Sequence, residues 1–312
     1  MDKVIFDTNA YRYLVHGKRH DKIEKLVGKL KAKEKKNNIE TLISPIVAKE
    51  LLAHIGDKND PSFDKCLKAV KALYLHSGDD IKYNMIASPE LLISKAFFNK
   101  ELPAKSETNK AIGQMIYHLA KNPDAKTLKR LNRNLQANRS HVIDTEYNFA
   151  LQMKQFVSTI DNTATGWQIF PNDSLKRKEV LDYIRSEHVS FQIALGFIFL
   201  VYQILCLSGV IAPMPNADLY DRAKKFITIF PEPIALFKQV MENMVHSEFN
   251  LFEDSRANFV WDIHLMFNVG NHSLGGSKLY FVTSDKAIIR SAIAENAKYT
   301  ILTYNEYIDY LK

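Results

Sequence analysis

Four acidic residues occupy positions where a carboxylate is expensive or conspicuous. Asp7 follows directly on the apolar run Val4-Ile5-Phe6, and Asp285 follows Leu279-Tyr280-Phe281-Val282 after only Thr283 and Ser284. Each stands at the end of a predicted strand, where open parallel α/β sheets bind their ligands. Either could instead simply cap the helix that follows, a common use of Asp. Glu50 has Ile46, Val47, Leu51 and Leu52 around it on a predicted helix, which sets it on or beside the inward stripe. Asp262 lies inside Phe259-Val260-Trp261-Asp262-Ile263-His264-Leu265-Met266-Phe267 and is the least cap-like of the four, with Glu253 and Asp254 as rivals for its role. An unpaired carboxylate is costly in apolar surroundings. Pairing with Lys or Arg is one remedy and a cation is another. Four carboxylates at one sheet edge would repel each other unless neutralised. All-oxygen donors suit Mg2+ or Mn2+, and two such ions about 4 Å apart can activate water and stabilise a leaving oxygen in phosphodiester hydrolysis.

Other chemistries find less support. The ten histidines show no HExxH or similar spacing. His54, one turn after Glu50, could touch a substrate but reads more simply as a packing or surface residue. Asp144-Thr145-Glu146 repeats the Asp-Thr pattern within helical sequence and reads as a helix start at Asp144 or Ser140. The segment 270–276 contains three glycines, yet no Lys-Ser/Thr follows, so it reads as a linker rather than a phosphate loop. Two cysteines, Cys66 and Cys206, exclude a disulfide scaffold and a cysteine-based zinc site. No nucleophile–base triad is apparent.

The elements that must position the acids fall into two groups. Short apolar runs at 3–6, 41–43, 279–282 and 299–302 alternate with helical segments at 11–15, 20–36, 45–55, 286–294 and 304–311, the signature of a parallel sheet flanked by helices. A further helix is expected over 254–268. Between them, helical periodicity dominates: 61–76, 89–98, 107–120, 124–138, 141–160, 174–207, 217–229 and 233–246, with breaks at Gly78-Asp79-Asp80, Pro171-Asn172-Asp173 and the proline pairs near 213 and 231. The expected fold class is therefore α/β and mostly helical, a core built from 1–60 and 250–312 with an all-helical insertion over 61–249. Residues 189–217 carry no charge and are long enough to span a membrane. A packed helix is expected instead, because Gln192, Tyr202, Gln203 and Ser208 interrupt the run, and because a single span would separate the two ends that the acidic site requires together. With no basic-then-apolar leader, the expectation is a reduced, cytoplasmic protein without a membrane partner.

Of 312 residues, 42 are Lys or Arg and 35 Asp or Glu, a net charge of +7. The excess is clustered: residues 18–36 carry nine basic residues against three acidic ones, and 95–139 ten against three. Such clusters attract phosphate backbones. Within the second, Lys126, Lys129, Arg130 and Arg133, with Arg139 nearby, share one broad helix face above a stripe of Leu128, Leu131 and Leu135. That face is the candidate nucleic-acid-binding surface, and a merely solvated helix exterior is the alternative.

FDTNAYRYL, SPIVAKEL around Glu50, the helix carrying Asp262, and YFVTSDKAI followed by ILTYNEYIDYL resemble the PIN-domain ribonuclease family. The hydrophobic-DTN opening and the late TSD are the most characteristic pieces, and the likeness covers 1–60 and 250–312. It implies a divalent-metal endoribonuclease using Mg2+ or Mn2+, with Asp7, Glu50, Asp262 and Asp285 as catalytic and metal-ligating residues, Asn9 and Ser284 as supporting polar groups, and an RNA substrate. The settings it implies include a toxin or a defence effector. The helical middle has no counterpart in the small toxin-like members, and it could gate the site, read the substrate, or bind a protein partner or inhibitor. Two other expectations stand beside this one: a structure-specific DNA nuclease of flap-endonuclease type, and a non-catalytic scaffold that binds a partner.

Overall fold

The computed structural model describes residues 1–78, 84–253, 256, 258–270 and 278–312. All but Gly270 of the expected linker at 270–276, Asp79 and Asp80 of the expected break, and the rival acid Asp254 lie outside these residues.

Four short strands form one all-parallel sheet: β1 (Asp2–Phe6), β2 (Ile39–Leu42), β3 (Leu279–Val282) and β4 (Ile301–Leu302), in the spatial order β2-β1-β3-β4. β1 is central and pairs Lys3 with Glu40 on one side and with Leu279 on the other. Chain ends more than 270 residues apart are therefore hydrogen-bonded neighbours in one sheet. Val4, Ile5, Phe6, Phe281 and Val282 are fully buried, as near-continuous apolar strands covered on both faces should be.

The crossovers follow local sequence. Asp7 caps α1 (Thr8–Leu14), and α2 (Ile23–Lys36) is entered through a short 3-10 turn at His20–Lys22. Ser44 caps α3 (Pro45–Ile55) with Pro45 at its first position, where no amide donor is needed. The helical middle then runs through α4 (Phe63–Ser77), α5 (Pro89–Ile93) with a π turn at Ser94–Phe98, α6 (Pro103–Lys121), α7 (Ala125–Ile160), α8 (Ser174–Arg185), α9 (Glu187–Leu207), α10 (Asn216–Ile229) and α11 (Pro231–His246). The chain returns through α12 (Phe259–Leu265), a 3-10 turn at Met266–Asn268, then α13 (Lys286–Ala294) after β3 and α14 (Tyr304–Tyr310) after β4.

Several expectations change on contact with this architecture. The helices expected at 124–138 and 141–160 are one continuous α7. Ser140 and Asp144 are interior to it and cap nothing, because no Gly or Pro interrupts the chain there. The expected 174–207 helix is two, divided at Ser186, whose side chain caps α9. Residues 298–300 form a 3-10 turn rather than the first half of a strand. The boundary expected at residue 60 is not a packing boundary: α4 lies against α1, α2 and β2, and α3 packs on α6 and α7. One hydrophobic core runs from the sheet into these helices, and a second, smaller one joins α9, α10 and the α5 region around Phe226 and Phe267. Within it, Ala194, Ile198, Val201 and Leu205 are the packed stripe of α9. The rest of α9 does not fit a helix buried all round. Phe199, Leu200 and Leu207 are exposed, and only 28% of its most apolar window is buried. Among the described residues it is the one helix long and apolar enough to cross a membrane.

A buried polar knot ties the two chain ends. Glu34 of α2 accepts hydrogen bonds from Tyr307 (2.7 Å) and Thr41 (3.2 Å) and lies 2.7 Å from His76 Nε2; the other ring nitrogen of His76 lies 3.2 Å from the Tyr11 hydroxyl. His76 and the hydrogen-bond donors hold the Glu34 carboxyl below its usual range despite the opposing effect of burial.

Candidate acidic site at the sheet edge

The chain leaves β1 for β2 on one side, and the later strands β3 and β4 lie on the other. The crevice beyond the ends of β1 and β3 is therefore the topological switch point of the sheet. Asp7 and Asp285 both belong there. Asp7 N donates to Val282 O (3.0 Å), and the Thr283 hydroxyl donates to Asp7 Oδ2, which joins the two strand ends through side chains as well as backbone. Asp7 Oδ1 accepts from Ala10 N, and Asp285 Oδ1 accepts from Ala287 N (2.7 Å) and Ile288 N (3.0 Å). Both aspartates are thus genuine caps. The capping role does not remove them from the crevice; it fixes their orientation within it.

Glu50 enters from α3 and Asp262 from α12. The Thr8 hydroxyl donates to Glu50 Oε2 (2.7 Å), which ties α3 to the first turn of α1. Burial pushes the Asp7 carboxyl up to about 6, with Asp285 adding to the rise, while the bonds from Thr283 and Ala10 and the charge of Arg12 oppose it. Burial likewise pushes Glu50 up to about 7; Asp7 and Glu146 add to this, while Thr8 and Arg12 oppose it. Asp262 is raised well above the usual carboxylate range, by burial and then by Asp285, Glu50 and Asp7, and among the described residues no hydrogen bond or cation counters it. The structure thus brings the four carboxylates close enough to repel one another, from four elements spread over the length of the chain.

The supporting residues differ from those expected. Asn9 and Ser284 are exposed, whereas their neighbours Thr8 and Thr283 are buried and hydrogen-bond the carboxylates. Four residues here carried no expectation. Thr8 and Thr283 are two, and their signal was adjacency to the strand-end acids. Arg12, one helical turn after Thr8, is the cation that acts on both Asp7 and Glu50. Its Nη2 lies 3.4 Å from Cys66 Sγ, and its Nε is buried without a partner among the described residues. Glu146 comes from α7, accepts from Trp261 Nε1 (2.9 Å) and acts on Glu50. Nothing in the sequence couples residues 115 positions apart. His54 takes the plain role: its Nδ1 lies 2.8 Å from Asp60 Oδ2.

The donor set has the chemistry of a hard-cation site. It is all oxygen, negative in excess of its nearby cation, and includes in Asp262 a buried carboxylate that nothing among the described residues balances. The side chains as they stand are not a closed ligand shell: among the described residues no three His, Cys, Asp or Glu are arranged to hold an ion. Both Asp7 oxygens and one of Asp285 are engaged by protein donors, which leaves Asp262, Glu50 and the second Asp285 oxygen with free acceptor capacity.

The candidate nucleic-acid face lies elsewhere on the molecule. Lys126, Lys129, Arg130 and Arg133 are exposed on the first turns of α7, and Arg139 is paired with Asp57 (3.1 Å). At 1.5 Å per residue, Arg133 and Lys126 stand about 20 and 30 Å along the helix from Glu146. No protein-family model, curated protein or solved structure matches this chain.

Proposed function

We propose that the protein is a divalent-metal-dependent endonuclease acting on RNA, of the PIN-domain kind. The observation that carries this reading is the meeting of Asp7, Glu50, Asp262 and Asp285 at the switch point of a parallel sheet, with Asp262 left without a counter-charge among the described residues. Negative charge gathered at that cost to folding needs a use, and binding hard cations is the use its donor chemistry fits. Asp262, Glu50 and Asp285 have the free oxygens to hold Mg2+ or Mn2+, and the charge of Asp7 acts on Glu50 and Asp262. A bound ion of this kind supplies charge neutralisation and a water nucleophile at neutral pH.

The chain's own residues do the rest. Thr8 and Thr283 hold Glu50 and Asp7 in fixed rotamers, and the capping bonds of Asp7 and Asp285 keep both carboxylates at the strand ends. Arg12 offsets part of the repulsion and so lets Asp7 and Glu50 stay close. Only Oε2 of Glu50 takes the bond from Thr8, so its other oxygen would hold an ion or orient the water that the ion activates. Trp261 and Glu146 lock α12 against α7, so the helical middle helps to set where Asp262 stands.

Cleavage of labelled single-stranded RNA, single-stranded DNA and branched DNA, side by side with Mg2+ or Mn2+, tests the reading. RNA cleavage that chelator abolishes, and that Asp7→Asn reduces at least a hundredfold with the fold intact, is the expected result. Preference for branched DNA would make the protein a flap-type nuclease instead. Full activity in chelator, or in Asp7→Asn, would overturn the mechanism. No Mg2+ or Mn2+ binding at millimolar levels by calorimetry would leave the scaffold reading.

A further inference from the structure

Three helices that bring acids to the crevice also carry basic or neutral nitrogen groups. Lys49 precedes Glu50 on α3, His141 lies five residues before Glu146 on α7, and His264 follows two residues after Asp262 on α12. Lys49 and His141, with Lys105 of α6, line a cavity of about 390 Å3. Its walls are otherwise mostly apolar, from Leu102, Pro103 and Ala104 at the start of α6 and Ile204 of α9.

Charge in the cavity is not balanced. Lys105 Nζ is 2.6 Å from Glu90 Oε1, while Lys49 makes no ion pair or hydrogen bond through its side chain among the described residues. Two ammonium groups therefore face one carboxylate, and Lys49 is the one left over. An anion entering the cavity would meet in Lys49 an ammonium group that no carboxylate of the described residues engages. The start of α6 adds to the attraction: the helix has 19 residues, Leu102 offers no side-chain cap, and its positive end opens on the cavity. Thr108 and Ser208 donate to their own helix backbones, so the lysines are the donors for a ligand. A tetrahedral anion joined to an apolar body fits such a lining, and a phosphate within a nucleic-acid strand is that kind of group. The long basic face of α7 is 20–30 Å off by the helix rise, whereas Lys49 is the residue next to Glu50 in the chain.

We propose that this cavity is a phosphate subsite, in which Lys49 and Lys105 hold a phosphate of the substrate strand that neighbours the one presented to the acidic crevice. The proposal rests on the nuclease reading for the identity of its ligand, and its test separates the two. The binding of a fluorescent single-stranded RNA is measured in chelator, where it stays intact, with inorganic phosphate as competitor. Lys49→Gln should weaken RNA binding about tenfold and reduce the slope of log affinity on log salt by about one counterion. Phosphate should displace RNA from the parent more readily than from Lys49→Gln. Lys49→Arg should keep most of the affinity, and Lys178→Gln, an exposed lysine on α8, should match the parent. If Lys49→Gln binds RNA with the parent's affinity and salt slope, the subsite is wrong even where the protein cleaves RNA. If no metal supports cleavage but Lys49→Gln loses affinity while Lys49→Arg keeps it, the subsite stands and the nuclease reading falls. A loss shared equally by Lys49→Gln and Lys49→Arg, at unchanged thermal midpoint, would assign Lys49 to packing and overturn the subsite.

Discussion

Replacing Glu50 by glutamine should make the metal-free protein more stable, and the gain should depend on pH in a way the structure dictates. Glu50 is raised from an ordinary 4.5 to about 7, chiefly by burial. A group whose folded-state pKa is raised binds its proton more tightly when folded. Its favourable contribution is complete below pH 4.5 and is lost as pH rises through 7. At about 1.4 kcal/mol per pH unit, the ionised form costs up to about 3 kcal/mol at pH 8, and about 1–3 kcal/mol once partial exposure is allowed for. Glutamine removes the charge and keeps an oxygen for the 2.7 Å bond from Thr8. Urea unfolding in chelator, followed by the fluorescence of Trp167 and Trp261, should give equal stabilities near pH 4 and a variant about 1–3 kcal/mol more stable at pH 8. Added Mg2+ or Mn2+ at pH 8 should stabilise the parent and close part of that gap, because binding to the folded state alone adds stability by mass action. A variant equal to or less stable than the parent at pH 8 would refute the claim that Glu50 carries an uncompensated charge.

Three further outcomes follow from other parts of the molecule. Glu90 is held at about 2, below its ordinary 4.5, against the effect of burial and chiefly by Lys105; His264, itself pushed down to about 4, adds to this only in acid, where it is protonated, so the contribution of Glu90 is present above pH 4.5 and lost as pH falls through 2. Glu90→Gln should therefore cost up to about 3 kcal/mol at pH 7 and little near pH 2, measurable by denaturant titration across that range. Glu34→Ala strips three groups of their buried carboxylate partner and should destabilise the fold by about 3–5 kcal/mol, while replacing Tyr307 by Phe should cost about 1–2 kcal/mol; thermal and urea unfolding check both. Reversing Lys129, Arg130 and Arg133 to Glu should weaken RNA binding and flatten its salt dependence by up to about three counterions, with metal affinity by calorimetry unchanged; an unchanged salt slope would make that face a plain exterior.

Local pattern alone determined the ends of this protein well. Short apolar runs closed by Asp-Thr-Asn and Thr-Ser-Asp mark strands whose ends carry acids, and Ser44-Pro45 marks a helix start; the structure has these strands and these caps. That legibility has a simple cause: strand burial, capping and helix amphipathicity are set within about ten residues of chain. The acidic quartet was legible for the same reason, since a carboxylate set in an apolar stripe is a local anomaly. Glu34 was legible in the same way and went unread: it continues the buried stripe Ile23, Val27, Leu30 at helical spacing, although it sits in the Lys-rich segment.

Tertiary structure decided what touches what. The contact of Asp7 with Thr283, the approach of Glu146 to Glu50 through Trp261, and the cation Arg12 between two carboxylates all join residues whose separation in sequence bears no relation to their separation in space. The continuity of α7 past Ser140 and the packing of α4 on the sheet were decided the same way, by neighbours that cover an otherwise ambiguous stretch. Periodicity states which face of an element is apolar. Only packing states which other face it meets, because a hydrophobic stripe is satisfied by any complementary surface and carries no address.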